Sequence, residues 1–274
     1  MRGSHHSNDK IELRNMNSIT THQKNNLAII TLNRPEVFNS FNREMALALQ
    51  KALDDCASNQ EVRAILLTGS GKAFCAGQDL KEVTSPELNP GFKAILDEHY
   101  NPIISRIRNM EKPVVAGVNG VAAGAGANIA LSCDVVVASE AASFIQAFSK
   151  IGLIPDSAGT FFLPRLIGFQ KASALMMLGD KISAEEAEKL GMVYKVFSAE
   201  TFMEEAQKIA ETLSKMPTYG LALTKKALNA SMQNNLEDQL ALESKYQIEA
   251  AQTDDYNEGV NAFIEKRNPK FIGK

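Results

Sequence analysis

Short apolar runs punctuate the first 140 positions, each set off by turn residues. Leu27–Leu32 (LAIITL) runs into Asn33-Arg34-Pro35, Val62–Thr68 (VRAILLT) is closed by Gly69-Ser70-Gly71, and Val114–Val118 follows Lys112-Pro113. Their length and borders predict buried strands. Between the first two, Asn42 precedes Met45, Leu49 and Leu53, a four-residue recurrence that predicts a helix capped by Asn42. After Val118 a small-residue turn opens a helix, and Asp134–Ala138 reads as a further strand. Strands and helices in this alternation imply an α/β sheet covered by helices.

The rhythm changes at Ser183. Ser183-Ala184-Glu185-Glu186 resembles a capping box. Nearly everything beyond it reads as amphipathic helix, through Leu221–Met232 and Leu236–Gln252. The expected organisation is a leader over residues 1–15, a core over 16–200 and a helical region over 201–274. A helical tail of that kind commonly docks on a neighbouring subunit.

Composition narrows the partners. With 274 residues the chain can bury a large core, and its formal net charge of −3, with Lys and Arg scattered, makes no case for nucleic acid. No apolar run reaches the roughly 20 residues of a membrane span, and no signal peptide is recognisable. Cys56, Cys75 and Cys133 have no metal-site spacing and cannot all pair, so a reducing cytoplasm is expected. Residues 1–6 (MRGSHH) look like an expression-tag remnant, which removes His5 and His6 from any metal argument and puts the native start near Met16. No metal, flavin or nicotinamide site is recognisable.

Most of the candidate chemistry lies in Val121–Thr160. The turn Ala122-Ala123-Gly124-Ala125-Gly126 lets backbone N–H groups approach a ligand oxygen, and a helix starting there adds its dipole. Asp156, in a Pro-Asp-Ser turn thirty residues beyond Gly126, supplies one carboxylate. A place to hold an anion beside one base points to enolate chemistry. The same residues also suit a purely structural role, with glycine needed only for geometry and Asp156 as a helix N-cap.

Leu32–Glu36 (LNRPE), Gly71–Leu80 (GKAFCAGQDL), Lys112–Gly120 (KPVVAGVNG), the turn, Cys133-Asp134, Gly152–Asp156 (GLIPD), Pro164–Gly168 (PRLIG) and Phe263–Phe271 (FIEKRNPKF) follow one another along the chain. Read in that order, they resemble the crotonase (enoyl-CoA hydratase/isomerase) superfamily. The resemblance runs from about residue 24 to the C-terminus. It implies a spiral of ββα units with a C-terminal helical trimerisation region, assembled as a homotrimer or a dimer of trimers. It also implies acyl-CoA thioester substrates, coenzyme A entering as part of the substrate and not as a separate cofactor. The thioester enolate would be held by the backbone N–H groups of Gln78 and Ala125, within a substrate-binding stretch that includes Ala76, Gly77, Asp79, Leu80 and Gly124. Lys266 and Arg267 either meet coenzyme A phosphates, in the same subunit or a neighbour, or form a solvated tail.

Two departures from the family pattern matter. Hydratases of this family use two glutamates, and the aligned positions here are Asn128 and Phe148. Neither moves a proton usefully, so hydration is disfavoured. Asp156 remains, in a turn that resembles those of family isomerases, most closely the branch acting on ring 1,2-epoxides of phenylacetyl-CoA. An isomerase needs one base, and burial should raise the pKa of Asp156 to suit a proton shuttle. Asn128 either positions substrate or water, or satisfies buried backbone. Phe148, Phe144, Phe161 and Phe162 either line an acyl pocket or are ordinary core.

His99 is expected at the surface of a helix, and Cys75 as a small packing residue. The competing readings are a Δ3,Δ2-enoyl-CoA isomerase of linear chains, residual hydration or thioester hydrolysis, and a non-catalytic acyl-CoA binder. Halobenzoyl-CoA dehalogenation ranks low, because in the family it relies on a tryptophan and a histidine that this chain lacks in the matching region. The loop Thr84–Gly91 is expected to shape acyl specificity.

Overall fold

The structure, a computed structural model, describes residues 18–274. The expected leader and the start near Met16 lie outside these residues. An antiparallel hairpin opens the fold, with β1 (Ile19–Lys24) and β2 (Leu27–Leu32) in register from Lys24 opposite Leu27. α1 (Arg43–Ser58) follows, and the Asn42 side chain accepts from the Met45 N–H at 3.0 Å, as its position before the helix predicts. β3 (Ala64–Gly69) returns parallel to β2, and all six of its residues are buried. A strand covered on both faces needs this continuous apolar run.

From here successive strands alternate between two sheets. β4 (Ala73–Cys75) leaves the first sheet and leads through α2 (Leu80–Thr84), α3 (Phe92–Ala94), a π-helical turn over Ile95–Tyr100 and α4 (Asn101–Asn109). β5 (Val114–Val118) and β6 (Val121–Ala123) precede α5 (Ala125–Leu131). β7 (Val135–Ser139) and β8 (Ser143–Ile145) precede a 3-10 turn over Ala147–Ile151 and α6 (Gly159–Ile167). The larger sheet has the order β1-β2-β3-β5-β7 and then β10 (Lys195–Phe197). The smaller runs β4-β6-β8 and then β9 (Lys181–Ser183). Each of the pairs β3/β4, β5/β6 and β7/β8 thus sends one strand to each sheet before a helix follows. That is the expected spiral of ββα units.

α7 (Phe169–Leu178) and α8 (Ala184–Lys189) flank β9, and Ser183 Oγ caps α8 by accepting from the Glu186 N–H at 3.2 Å. The pattern beyond Ser183 reads as nearly continuous helix, but Lys195–Phe197 is a strand paired in parallel with β7. Three residues (KVF) are too few for an alternation to show. α9 (Phe202–Lys215) then covers one face of the larger sheet, with Phe202, Ala206 and Ala210 against Leu66, Val115 and Val137. α1, α4 and α5 contribute to the main core on the other side.

α10 (Thr218–Ser231) is tied down by a charge cluster. Asp134 accepts from Arg108 at 3.0 Å, from Lys225 at 2.7 Å and from the Val114 N–H at 2.8 Å. α11 (Leu236–Ala250) and α12 (Asp254–Ile264) complete the chain. Among the described residues no helix is long and apolar enough to cross a membrane.

Candidate active site

Parallel pairing of β4 with β6, Ala73 opposite Val121 and Cys75 opposite Ala122, brings the segments after both strands to one place. After β4 the chain passes through Ala76, Gly77 and Gln78, and Phe41 grips this segment from one side. The Phe41 N–H donates to the Gly77 carbonyl at 2.7 Å, and the Phe41 carbonyl accepts from the Asp79 N–H at 2.8 Å. In such a parallel bridge the residue between the two bonds turns its own N–H the other way. Among the described residues the Gln78 N–H has no protein acceptor, and neither does that of Ala125, the first residue of α5.

Glycines make this approach possible. Gly77 has φ +93°, and a Cβ on it would lie 3.1 Å from the Ala123 carbonyl oxygen and 3.8 Å from Ala125 N. Gly124 has φ +53° and ψ −127°, a combination that other residues adopt only under strain. Gly126 packs so closely on β4 that a Cβ would sit 2.4 Å from the Cys75 carbonyl oxygen. Cys75 is itself fully buried, and burial pushes its thiol up to about 12, so it packs as a small apolar group.

Asp156 is fastened to the same helix by its backbone. Asn128 Nδ2 donates to the Asp156 carbonyl at 2.8 Å, and Asn128 Oδ1 accepts from Gln146 Nε2 at 2.7 Å. Of the two sequence readings of Asn128, this geometry matches the satisfying of buried backbone, and its amide is engaged at both ends. The Asp156 side chain does not cap α6. Its Oδ1 accepts from Ser157 Oγ at 2.8 Å, while the Gly159 N–H turns back to the Asp156 carbonyl at 2.9 Å. Ser157 and Ala158 both hold left-handed backbone, φ +50° and +60°, an uncommon pair of non-glycine conformations that shapes the turn. Burial raises the Asp156 pKa above the ordinary carboxylate value, and the Ser157 hydroxyl opposes this in part.

Phe148 lies in the turn after β8, close enough that a Cβ on Gly124 would be 3.6 Å from its ring. Gln78, Ala125, Gly77, Gly124, Asn128, Phe148 and Asp156 therefore form one connected neighbourhood. Asp79 adjoins it, but its carboxylate pairs with Arg34 at 2.8 Å and caps α2 through the Lys81 N–H at 2.9 Å. Leu80 is exposed. Lys266 is exposed on the turn after α12, and the Arg267 guanidinium is already held by Glu258 and Glu265. Phe144 and Phe162 belong to the buried core, whereas Phe161 is half-buried with the Arg165 guanidinium 3.9 Å above its ring.

His99 overturns its sequence reading: it is 1% exposed, 3.1 Å from Arg43 through Nε2, not a surface residue. It lies in the π-turn, whose i→i+5 spacing rotates later side chains away from where an α-helix would point them. Two residues beside the site escaped sequence reasoning, Glu82 and Tyr100. Gln78 Nε2 donates to Glu82 Oε2 at 2.7 Å, and the i, i+4 spacing of that pair was a usable signal. Tyr100 OH donates to Gln78 Oε1 at 2.7 Å, a long-range contact with no local signature.

Comparison with known proteins agrees with this architecture. The family model described as enoyl-CoA hydratase/isomerase matches residues 22–274. A 1,2-epoxyphenylacetyl-CoA isomerase of Escherichia coli is 45% identical over 94% of this chain and 100% of its own length. A probable enoyl-CoA hydratase of Rhodobacter capsulatus is 45% identical over 90% of this chain and 95% of its own. Among solved structures, a putative enoyl-CoA hydratase/isomerase from Mycobacterium abscessus superposes with a TM-score of 0.89 at 34% identity, covering 93% of this chain and 100% of that one. The chain belongs to the enoyl-CoA hydratase/isomerase (crotonase) family.

Proposed function

We propose that this chain is an acyl-CoA isomerase in which Asp156 shuttles one proton and the Gln78 and Ala125 N–H groups hold the enolate oxygen. The observation that carries this reading is a single half-buried carboxylate with a raised pKa, fastened to the helix that begins at Ala125. On a 3-enoyl-CoA, Asp156 removes a proton from C2 and the electron pair moves onto the thioester oxygen. The resulting dienolate takes the proton back at C4, leaving the double bond between C2 and C3. Preorganised donors at a developing oxyanion contribute about 3–4 kcal/mol each.

The preferred substrate is a ring 1,2-epoxide of phenylacetyl-CoA, converted to an oxepin. The Escherichia coli relative carries that activity in its name, and Phe148 supplies an aromatic surface over Gly124. A linear Δ3-enoyl-CoA is the alternative substrate.

The test follows the ultraviolet absorbance of the conjugated thioester formed from a 3-enoyl-CoA. Conversion by the wild type and none by Asp156→Asn is expected, and isomerisation by a folded Asp156→Asn would refute the assignment. Hydration is the second reading, favoured by the Rhodobacter capsulatus relative at the same 45% identity. Release of 3-hydroxyacyl-CoA from a trans-2-enoyl-CoA would establish it. Against it stands the position aligned with one of the hydratase glutamates, Asn128, whose amide is occupied by Asp156 and Gln146 and carries no carboxylate to move a second proton.

The working assembly is a homotrimer or a dimer of trimers. α11 buries none of its side chains within the subunit and exposes Leu240 and Ile248, while α12 exposes Phe263 and Ile264. Sedimentation velocity should give a species of three or six chains; a monomer would overturn this part of the reading. Lys266 is proposed to meet a coenzyme A phosphate from its place on that C-terminal segment, and Lys266→Ala should then raise KM with little change in kcat.

A further inference from the structure

The side chain of Gln78 is clamped as firmly as its backbone, and one residue takes part in both clamps. Its Oε1 accepts from Tyr100 OH at 2.7 Å and its Nε2 donates to Glu82 Oε2 at 2.7 Å. Glu82 is fixed in turn, since its Oε1 accepts from the Arg43 N–H at 2.7 Å. The Tyr100 ring also packs edge-on against Phe41, with centroids 5.8 Å apart and planes at 81°. Phe41 is the residue that grips Gly77 and Asp79 on either side of Gln78.

Tyr100 reaches this position because it ends the π-turn over Ile95–Tyr100. The carbonyls of Glu98 and His99 in that turn are taken up by Gln50 Nε2, at 2.7 and 3.2 Å. A π-turn with its own side-chain support is a costly local choice, and such turns occur frequently at functional sites. Tyr100 is 1% exposed, yet its hydroxyl is spent on Gln78 and not on a distant structural partner.

The need for a clamp comes from Gly77. A glycine at φ +93° leaves the peptide that carries the Gln78 N–H more freedom to rotate than any other residue would. An oxyanion donor stabilises a transition state only while it points at the oxygen.

We propose that Tyr100 is a positioning residue for the oxyanion-binding amide, fixing the direction of the Gln78 N–H through the Gln78 side chain and through Phe41. This rests on the reading that Gln78 and Ala125 hold the thioester oxygen. Burial above all, and then Cys75, Asp156, Glu82 and Asp79, raise the Tyr100 phenol well above its ordinary value, so it remains a donor throughout the working range.

Tyr100→Phe keeps the ring on Phe41 and removes only the hydroxyl. Its kcat for a 3-enoyl-CoA should fall about tenfold with KM changed less than twofold, because a misaimed donor loses part of the roughly 10²–10³ that a missing one costs. The discriminating readout is difference infrared spectroscopy of bound phenylacetyl-CoA labelled with ¹³C at the thioester carbonyl. Wild type and Asp156→Asn should both lower the carbonyl stretching frequency, and Tyr100→Phe should lower it less. Gln78→Leu, which loses both side-chain bonds and keeps the N–H, should behave like Tyr100→Phe and guards against a fold defect peculiar to one variant. A full carbonyl shift with unchanged kcat in both variants overturns the proposal while leaving the oxyanion site standing. No shift in the wild type with acyl-CoA bound overturns the oxyanion reading, and the role of Tyr100 with it.

Discussion

Replacing Gly126 by alanine tests whether the proposed oxyanion donor, the Ala125 N–H, depends on its exact place. A Cβ there would lie 2.4 Å from the Cys75 carbonyl oxygen, 2.6 Å from its Sγ and 2.7 Å from its Cβ. Ordinary contact begins near 3.4 Å, and the carbonyl belongs to β4, so the strand cannot swing aside as a side chain would. The beginning of α5 must retreat by about 1 Å, the difference between 3.4 and 2.4, and Ala125 is the residue before Gly126. A misplacement of about 1 Å at a reacting centre costs roughly 10²-fold in rate. kcat for 3-enoyl-CoA isomerisation should therefore fall about 10²-fold while KM changes little.

The same overpacking should cost about 1–3 kcal/mol of stability. For a chain of this size that is roughly 2–12 °C in Tm. The fitting control is Gly220→Ala on α10, where the nearest atoms, Pro217 Cβ and Cγ, are 3.8 Å away. It should keep wild-type kcat and Tm or gain slightly. A folded Gly126→Ala enzyme with kcat within twofold of wild type would refute the reasoning.

Four further outcomes are expected. Because burial raises the Asp156 pKa and the proposed base must be ionised to act, the acid limb of kcat/KM should lie above that of an ordinary aspartate. Ser157→Ala removes the hydrogen bond that lowers it and should move the limb to higher pH, whereas an unmoved limb would detach Asp156 from the rate. Between its unfolded and folded pKa values the native state holds the extra proton, so this group's stability contribution is lost as pH rises through that window; Asp156→Asn should therefore melt higher than wild type at neutral pH. Asn128→Ala strips the Asp156 carbonyl and Gln146 Nε2 of their partner, at about 1–3 kcal/mol for each group left unsatisfied. Its kcat should drop as the Asp156 turn loosens, and a lower Tm with intact kcat would limit Asn128 to a structural role. Asp134→Ala leaves Arg108 and Lys225 unpaired in a largely buried place and should cost about 3–5 kcal/mol in a urea titration; a change under 1 kcal/mol would show the cluster to be well solvated.

How far the sequence reaches depends on how local each determinant is. β5 falls on Val114–Val118 and α1 starts after the Asn42 cap, because an apolar run and a capping side chain are written in consecutive residues. β3 begins at Ala64, two residues later than its apolar run, where pairing with β2 begins. The smaller sheet escapes local reading, since β4, β6, β8 and β9 are three residues each and exist only by pairing with one another. The turn around Gly124 is legible locally, whereas the Gln78 and Ala125 N–H groups are singled out by the family resemblance and Asp156 by its Pro-Asp-Ser turn. Tyr100 and the buried His99 were not, because the π-turn that directs them inward breaks the 3.6-residue period on which a helix reading rests.

The smaller sheet has a consequence for how this scaffold evolves. β4 delivers Gln78, β6 delivers Ala125, and the chain after β8 delivers Phe148 and then Asp156. In the proposed reading, the half of the site that would polarise a carbonyl is written in main chain and in glycines, where few exchanges of side chain can erase it. In the same reading, the proton chemistry is set by the side chains at positions 128, 148 and 156, carried by a helix and two turns outside the sheet, and of these only Asp156 can move a proton here. In that reading, drift at those three positions would exchange one reaction for another while the main-chain grip on the thioester stays, so new chemistry would be reachable by single steps that keep substrate binding.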